Sequence, residues 1–166
     1  MNINAYYSAL PCAFECFMDM APLSDGIILL VCTKKHFIDF YGEQIPTYEF
    51  EIRAEQAVVG TIRLRIGYSD GIRYSGHIGF AVNEAYRGKG YAVRACRLLA
   101  NVARYHKMKK LLITNDIDNI ASYRVCEKLG AKFVGKAELP SWHDAFKDGH
   151  KHKNIFEWNL MEQQKF

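Results

Sequence analysis

The chain has 166 residues, of which 49% are hydrophobic and 24% are charged, and 22 Lys and Arg against 18 Asp and Glu give a formal net charge of +4. These values are typical of one globular domain and exclude a disordered tail, a collagen-like repeat and a membrane bundle. The longest apolar run, Ile27–Cys32, has strand length, far below the roughly 18 residues of a membrane-spanning helix.

Alternating apolar and polar residues predict strands in the first half of the sequence. Residues 1–25 are interpreted as an N-terminal extension of uncertain structure. Within it, Tyr6–Met20 is compatible with a short apolar helix interrupted near Pro11. The domain is expected over 26–166. Four strands follow, the last two forming an antiparallel hairpin around a turn at Gly67–Gly76. They are expected at Ile27–Phe37, Tyr48–Arg53, Val58–Ile66 and His77–Val82.

The third of these strands has the clearest alternation. One of its faces is apolar and the other is polar, which predicts that the sheet buries one face. The apolar face consists of Val58, Gly60, Ile62, Leu64 and Ile66, and the polar face of Thr61, Arg63 and Arg65.

Helices are predicted after the turn at Asn83–Gly90, where the apolar period changes from two residues to 3.6. The first helix ends at the cations of Lys107–Lys110. Its expected buried face consists of Ala92, Ala95, Cys96, Leu99, Val102, Ala103 and His106. A short strand at Leu111–Thr114 and a second helix at Ile120–Leu129, followed by Gly130 as a C-terminal cap, come next.

Two strands, Ala131–Glu138 and Asn154–Leu160, complete an α+β domain. The polar loop between them contains His143, His150 and His152, which we interpret as solvated side chains because no further metal-ligand set accompanies them. No metal site is therefore predicted. The five cysteines are odd in number and scattered, which favours reduced thiols. The N-terminus lacks a basic segment before its apolar residues, as a signal peptide would have, so a cytoplasmic protein is expected.

Positive charge is concentrated in one block of the sequence. The 31 residues from Ala85 to Asn115 contain eight bases and no Asp or Glu, so the other 135 residues have a net charge of −4. The bases are Arg87, Lys89, Arg94, Arg97, Arg104, Lys107, Lys109 and Lys110. The block indicates an anionic partner, although Arg94, Arg97 and Arg104 are expected to face water.

Two glycines and two bases lie between a strand and a helix in this block. The first N–H groups of a helix have no partner within the helix, and the helix dipole is positive there. Gly88 and Gly90 let the backbone approach a phosphate closely, and Arg87 and Lys89 add full charges. The segment therefore predicts a pyrophosphate site, with a tight turn carrying solvated bases as the alternative.

Two well-known phosphate-binding loops fit this segment poorly. A Walker loop requires Ser or Thr after its lysine, and Gly90 follows Lys89. A dinucleotide fingerprint requires Gly or Ala where Val93 stands, and its strand belongs to a parallel unit rather than to a hairpin. The dinucleotide interpretation is kept as a minor alternative.

Two motifs in this sequence resemble those of the GNAT superfamily of acetyltransferases. Arg87-x-x-Gly90-x-Ala92 resembles the acetyl-CoA-binding motif of that family, and Asn119, with Ser122 three residues later and Gly130 eleven later, resembles its next helix. The resemblance spans about residues 27–160 and is closest to a compact bacterial branch with few N-terminal helices. It implies the acyl-CoA N-acyltransferase fold, with a mixed, mostly antiparallel central sheet flanked by helices.

The resemblance also implies acetyl-CoA as cosubstrate and direct acetyl transfer to an amine. Backbone N–H groups of Gly88–Ala92, including Tyr91, would hold the pyrophosphate, with Arg87 and Lys89 beside them. The strand edge at Phe80, Ala81 and Val82 would pair with the pantetheine arm and supply an oxyanion donor. Asn119 would contact the arm, and Ser122 would leave room for it.

The catalytic groups are less well defined. The family often has a tyrosine as general acid seven residues after the motif Asn, and that position is Cys126 here. Tyr123, on the same side of the helix, is a substitute donor, and packing is the alternative for both. Glu84 is a candidate general base. Other candidate bases are Glu49, Glu51 and His77.

Two other classes of function are weighed against the acetyltransferase. A GNAT-shaped module that binds CoA without catalysis would explain the missing tyrosine. Nucleic-acid binding is disfavoured, because few aromatic residues interleave the bases. The amine acceptor, a small molecule or a protein, is not identified by any residue, and the strand edges of a small sheet leave a homodimer open.

Overall fold

Two antiparallel sheets contain the strands of the computed structural model, which describes residues 14–162. The first sheet, in spatial order, consists of β1 (Leu23–Ser24), β2 (Leu29–Phe40), β3 (Glu43–Ala54), β4 (Ala57–Arg65) and β5 (Ile78–Val82). The second consists of β6 (Lys110–Asp116), β7 (Lys132–Glu138) and β8 (His152–Asn159), with β8 in the middle. The predicted β4–β5 hairpin is confirmed, with Gly60 opposite Val82 and Leu64 opposite Ile78.

Four α-helices are present in the same range. They are α1 (Asp70–Ser75), α2 (Tyr91–Tyr105), α3 (Ile120–Leu129) and α4 (Asp144–Lys147). Helices α2 and α3 confirm the prediction, and with the sheets they give the predicted α+β class. Helix α1, capped by Ser69, lies where the sequence indicated only a turn, because six residues are too few to show a helical period.

The segment from Phe14 to Met20 packs against the first sheet. Phe17 lies with its ring centroid 5.2 Å from that of Tyr48, and the Met18 N–H donates to the Tyr48 hydroxyl at 2.7 Å. Residues 14–20 are not helical, so the helix expected over Tyr6–Met20 is wrong for its described part. The other residues of this segment, 6–13, which include Cys12, lie outside the described residues.

A bulge in β4 changes which valine is buried. Arg53 is paired with Val58 and Ile52 with Gly60, so Val59 is an additional residue in the ladder. Val59 is fully buried and Val58 is 43% exposed, which corrects the expected apolar face at Val58. Beyond the bulge the alternation holds, because Ile62 and Leu64 are buried as expected.

Helix α2 covers the apolar face of the first sheet with Cys96, Leu99, Val102 and Ala103. The arginines on its opposite side are not simply solvated, as the sequence suggested. Arg94 is 2.7 Å from Asp25, Arg97 donates to the Lys128 carbonyl at 3.2 Å, and Arg104 donates to the Leu160 carbonyl at 3.0 Å. They therefore connect α2 to three distant parts of the chain.

His77 joins the two sheets at the start of β5. Its N–H donates to the Leu112 carbonyl in β6 at 2.8 Å, and its Nδ1 accepts from the Leu112 N–H at 2.8 Å. Because Nδ1 accepts, Nε2 bears the proton and donates to the Gly67 carbonyl at 2.7 Å. Both ring nitrogens are used and the ring is fully buried, so the candidate role of His77 as general base is wrong.

Gly60 allows β4 and β5 to approach each other closely. A Cβ there would collide with the Ala81 carbonyl oxygen and lie 3.0 Å from the Val82 Cα, both backbone atoms that cannot rotate away. Gly60→Ala is expected to lower the free energy of unfolding by about 1–3 kcal/mol, measured by urea denaturation. Gly79→Ala is the control, since its Cβ would meet only the flexible Arg63 side chain; equal losses would contradict the backbone clash.

Candidate active site

A cleft of about 900 Å³ opens where the two sheets separate beyond the His77 joint. Its walls are formed by β5, the N-terminus of α2, the end of β6 and the first turns of α3. Ten of the eleven residues predicted to bind the cofactor line it. They are Phe80, Ala81, Val82, Arg87, Gly88, Gly90, Tyr91, Ala92, Asn119 and Ser122.

The glycine turn opens the N-terminus of α2 toward this cleft. Gly88 and Gly90 both have φ of +78°, in the left-handed region that favours glycine. Gly90 is the N-cap and has no side chain to occupy the free N–H groups, and the first turn of α2 contains no acidic residue. The first helical bond runs from the Arg94 N–H to the Gly90 carbonyl. The N–H groups before it can therefore bind an anion.

The two bases of the turn have different surroundings. The Arg87 Nε donates to the Val82 carbonyl at 3.0 Å, which fixes the guanidinium at the end of β5 in the cleft wall. The Lys89 ammonium instead lies 2.7 Å from Glu55, which raises the pKa of the lysine, and the Tyr91 hydroxyl donates to the same carboxylate. Lys89 is thus directed away from the cleft, contrary to its predicted role.

The hydrogen bonds between β5 and β4 show which backbone groups of β5 face away from β4. The Asn83 N–H donates to the Val59 carbonyl and the His77 carbonyl accepts from the Arg65 N–H, each at 2.8 Å, so odd-numbered residues face β4. Because backbone groups alternate along a strand, those of Phe80 and Val82 face the gap toward β6. Ala81 contributes its side chain to the wall, while its backbone faces β4.

Asn119 and Ser122 form the first turn of α3. The Asn119 Oδ1 accepts from the Ser122 N–H at 3.1 Å, which caps the helix and leaves the amide NH₂ group of Asn119 for another partner. Ser122 is 9% exposed and small, so the cleft extends past it. The sequence motif therefore corresponds to a local structure that shapes the cleft.

The candidate proton donors lie elsewhere. Cys126, a free thiol, is fully buried and accepts a weak hydrogen bond from Asn115 at 3.7 Å; burial raises its thiol pKa to about 12. Tyr123 packs edge-on against Phe156, at 4.9 Å between ring centroids. Helix α3 presents Ser122, Val125 and Lys128 to the cleft instead, so Cys126 and Tyr123 lack access to it.

The expected general bases are also outside the cleft wall. Glu84 is an exposed residue of a 3₁₀ turn at Glu84–Tyr86. At the surface of the first sheet, Glu49 is hydrogen-bonded to the His36 Nε2 at 3.1 Å, and Glu51 forms an ion pair with Arg53 at 2.6 Å. None of these carboxylates lines the cleft.

Sequence reasoning missed a set of polar residues that forms part of the cleft wall. It consists of Thr61, Arg63, Arg65, Ser75, Thr114, Asp116 and Lys153. Asp116 is the one carboxylate in the wall within the described residues, and its Oδ1 lies 2.7 Å from the Lys153 ammonium and 3.6 Å from the His150 Nδ1. The polar face predicted for β4 was the available signal for the two arginines.

The loop between β7 and β8 supports this wall through His143. His143, expected to be solvated, is 4% exposed and its Nδ1 accepts from the Ala145 N–H at 3.1 Å, so Nε2 donates to the Ser75 Oγ at 2.8 Å. Burial, together with the positive charge of Lys153, lowers the His143 pKa. In this tautomer the ring cannot accept the Ser75 proton. Within residues 14–162, no group of three or more His, Cys, Asp or Glu side chains is arranged to hold a metal.

The model of the acetyltransferase (GNAT) domain family matches residues 32–132, more than half of the chain. The chain belongs to the GNAT family. This confirms the resemblance carried by the Arg87 and Asn119 motifs, and the fold that it implied. A search of curated proteins finds no significant match.

Solved structures of the same fold include three acetyltransferases. RimJ from Mycobacterium smegmatis, in complex with a CoA disulfide, is 16% identical over 75% of this chain and 57% of that chain, with a TM-score of 0.56. Microcin C7 self-immunity acetyltransferase MccE, in complex with acetyl-CoA and AMP, is 18% identical over 68% and 61%, with a TM-score of 0.52.

The third is an acetyltransferase from Salmonella typhimurium that modifies the N-terminal serine of ribosomal protein L7/L12, 18% identical over 68% of this chain and 63% of that chain, with a TM-score of 0.53. The alignments thus take in less than two thirds of each solved chain. In residues 14–162, no helix has both the length and the apolar character needed to cross a membrane.

Proposed function

We propose that this GNAT protein is an acetyl-CoA-dependent N-acetyltransferase, which transfers the acetyl group directly from the CoA thioester to the amine of a small molecule or a protein. The observation that carries the proposal is the cleft between β5 and β6 with the open N-terminus of α2 in its wall. Structures of the same fold hold acetyl-CoA and a CoA disulfide, which supports the choice of cosubstrate.

The glycine turn fits a pyrophosphate. A Cβ built on Gly88 or on Gly90 would have no atom within 4 Å, so open space lies over both residues. The N–H groups at the start of α2 and the guanidinium of Arg87 would hold the phosphates, because both carry positive charge toward that space. The backbone groups of Phe80 and the N–H group of Val82 would pair with the amides of the pantetheine arm, while the Val82 carbonyl accepts from Arg87.

Arg87→Gln is expected to weaken acetyl-CoA binding by about tenfold, because the guanidinium is fixed in the cleft wall and donates charge-assisted hydrogen bonds. Lys89→Gln is the matched control, and a change below about twofold is expected because its ammonium is paired with Glu55 at the surface. Titration calorimetry at one salt concentration measures both. Equal losses would contradict the assignment of the phosphate site to Arg87.

Two requirements of acetyl transfer can be met by groups in the wall. The amine nitrogen attacks the thioester carbonyl carbon, the C–S bond breaks, and CoA leaves as a thiolate, a good leaving group that needs no dedicated acid. An N–H group at the β5 edge can donate to the carbonyl oxygen as it gains charge. The proton lost by the amine can pass to Asp116, directly or through water.

Asp116→Asn is expected to lower kcat by about 100-fold at neutral pH, because the amide cannot accept the amine proton. The KM for acetyl-CoA should be unchanged, since Asp116 lies in the wall away from the glycine turn. Steady-state kinetics at saturating amine give both constants. A loss confined to the KM for acetyl-CoA would assign Asp116 to cofactor binding instead.

The function is tested by incubating the protein with acetyl-CoA and a panel of amines and measuring free CoA thiol together with the acetylated amine. Release of both in equal amounts supports the enzyme. Binding of acetyl-CoA with no acetylated product for any amine would favour the alternative, a CoA-binding module without catalysis.

We further propose a cytoplasmic location, a catalytic domain over residues 26–166 and an acceptor that is not a nucleic acid. The contacts of Arg94, Arg97 and Arg104 within the chain support the last point, because they leave little of the basic block free for phosphates. Association into a homodimer is tested by sedimentation of the full chain.

A further inference from the structure

Two arginines in the cleft wall have no carboxylate partner among the residues that the structure describes. Arg63 and Arg65 lie on the same face of β4 and both line the cleft, and within residues 14–162 neither is within 4.0 Å of an Asp or Glu oxygen. The Arg65 side chain is 8% exposed, stacks on Phe40 with its Cζ 4.5 Å from the ring centroid, and donates from Nη1 to the Gly76 carbonyl. Its position is therefore fixed by packing.

Holding the buried Arg65 charge beside Arg63 is unfavourable in the free protein. Desolvation and the charge of Arg63 lower the pKa of Arg65 to about 10. The exposed Arg63 side chain lies over the neighbouring strand, because a Cβ on Gly79 would lie 3.3 Å from the Arg63 Cγ. Two like charges held together without a counter-ion make a strong site for an anion.

The acidic groups nearby are already paired. Asp116 forms an ion pair with the Lys153 ammonium at 2.7 Å. Glu49 is opposite Arg63 in the β3–β4 register, but its carboxylate lies 3.1 Å from the His36 Nε2. The positive charge of the two arginines is therefore available to a ligand.

Ser75 adds a hydrogen-bond donor to the same wall. Its oxygen accepts from the His143 Nε2, so the hydroxyl proton is free to point to a group in the cleft. Two guanidinium groups and a hydroxyl proton offer donors only, which suits a carboxylate or phosphate and not an ammonium group. Asp116, also in the cleft wall, has a carboxylate that can accept a proton from an amine.

We propose that the acceptor is a small primary amine that also bears an anionic group, with the anion held by Arg63, Arg65 and Ser75 and the amine directed toward Asp116. This inference rests on the proposed function and specifies its substrate class. Carboxylate and phosphate share the required chemistry, and amino acids and phosphorylated amines are its two sources.

The test compares matched amines that differ in the anion. The pairs are L-alanine and ethylamine, L-phenylalanine and phenethylamine, L-lysine and 1,5-diaminopentane, and O-phosphoethanolamine and ethanolamine. The rise in Tm with CoA present measures binding, and CoA thiol release measures kcat/KM. The ratio within a pair is compared between wild type and variants, because the different basicity of the two amines then cancels.

At least one pair should favour the anionic member by about 10- to 100-fold. Arg63→Gln, at an exposed side chain, should reduce that ratio about tenfold, and Arg65→Lys, which keeps the buried charge, should reduce it without unfolding the protein. Arg53→Gln, at an ion-paired surface arginine, is the control and should leave the ratio unchanged. If only amino-acid pairs show this preference, the site binds a carboxylate. If only the phosphate pair shows it, the site binds a phosphate.

The two proposals fail in different ways. Turnover of neutral and anionic amines at similar kcat/KM, unaffected by Arg63→Gln, would overturn the anionic substrate class while leaving the acetyltransferase intact. Binding of anionic amines that Arg63→Gln weakens, with no turnover of any amine, would overturn catalysis while leaving the anion site. Absence of both binding and turnover across the panel would overturn the anion site as well.

Discussion

Acetyl-CoA at 100 times its Kd is expected to stabilise the wild-type protein by about 2.7 kcal/mol, and Gly90→Glu is expected to remove that stabilisation. Gly90 has φ of +78° and caps α2 with open space above it. A glutamate there would strain the turn by about 1–2 kcal/mol and place a carboxylate where the phosphates must bind. Thermal unfolding with and without acetyl-CoA measures the difference.

Gly42→Glu is the matched control for this variant. Gly42 also has a positive φ, +85°, and no atom within 4 Å of an added Cβ, but it lies in the β2–β3 turn outside the cleft. Both variants should lose a similar amount of stability, whereas only Gly90→Glu should lose the response to acetyl-CoA. A full response in Gly90→Glu would exclude the N-terminus of α2 as the phosphate site.

The stability of the protein is expected to fall between pH 6.5 and about 4 because of His77. Burial, reinforced by the charge of Arg65, lowers its pKa from 6.5 to about 4 despite the hydrogen bond to Gly67. In this range His77 is protonated in the unfolded chain but stays neutral in the folded protein. The free energy of unfolding therefore rises with pH. The contribution of about 3 kcal/mol is complete above pH 6.5 and lost below pH 4.

His77→Gln separates this effect from other titrations. The amide can donate one hydrogen bond and accept one, and it does not titrate, so the variant should lose stability at pH 7.5 and show a much weaker dependence on pH. His36→Gln, at a partly exposed ring, is the control. Urea denaturation from pH 4 to 7.5 gives the values, and a difference between wild type and His77→Gln that is constant with pH would contradict the linkage.

The glycine turn that we propose to bind phosphate could be predicted from the sequence, because its conformation depends on adjacent residues. Gly88, Gly90 and the helix that follows are adjacent in the chain, and the conformation that opens the N–H groups needs only those residues. Lys89 shows the limit of this reasoning, since its partner Glu55 lies 34 residues away. A charge next to a site in sequence can still be paired outside it.

The polar wall that we propose to bind the acceptor could not be predicted in this way. Arg65, Ser75, Asp116 and Lys153 come from four separate segments, and only the fold brings them to one cleft. Ser75 belongs to a helix too short to detect. Cys126 was chosen by its spacing from Asn119, but the rotation of α3 places it among buried residues beside Asn115. The orientation of a helix relative to a cleft is a property of tertiary packing.

The gap beside β5 has a consequence for the protein without its cosubstrate. Beyond the joint at His77, the edge of β5 at Phe80 is not paired with another strand of residues 14–162, and it lies inside the domain rather than at its periphery. Unpaired edges are where foreign strands attach, and chains that expose them tend to aggregate. A pantetheine arm bound there would act as a substitute strand. Preparations kept with CoA should therefore remain monodisperse longer than preparations without it.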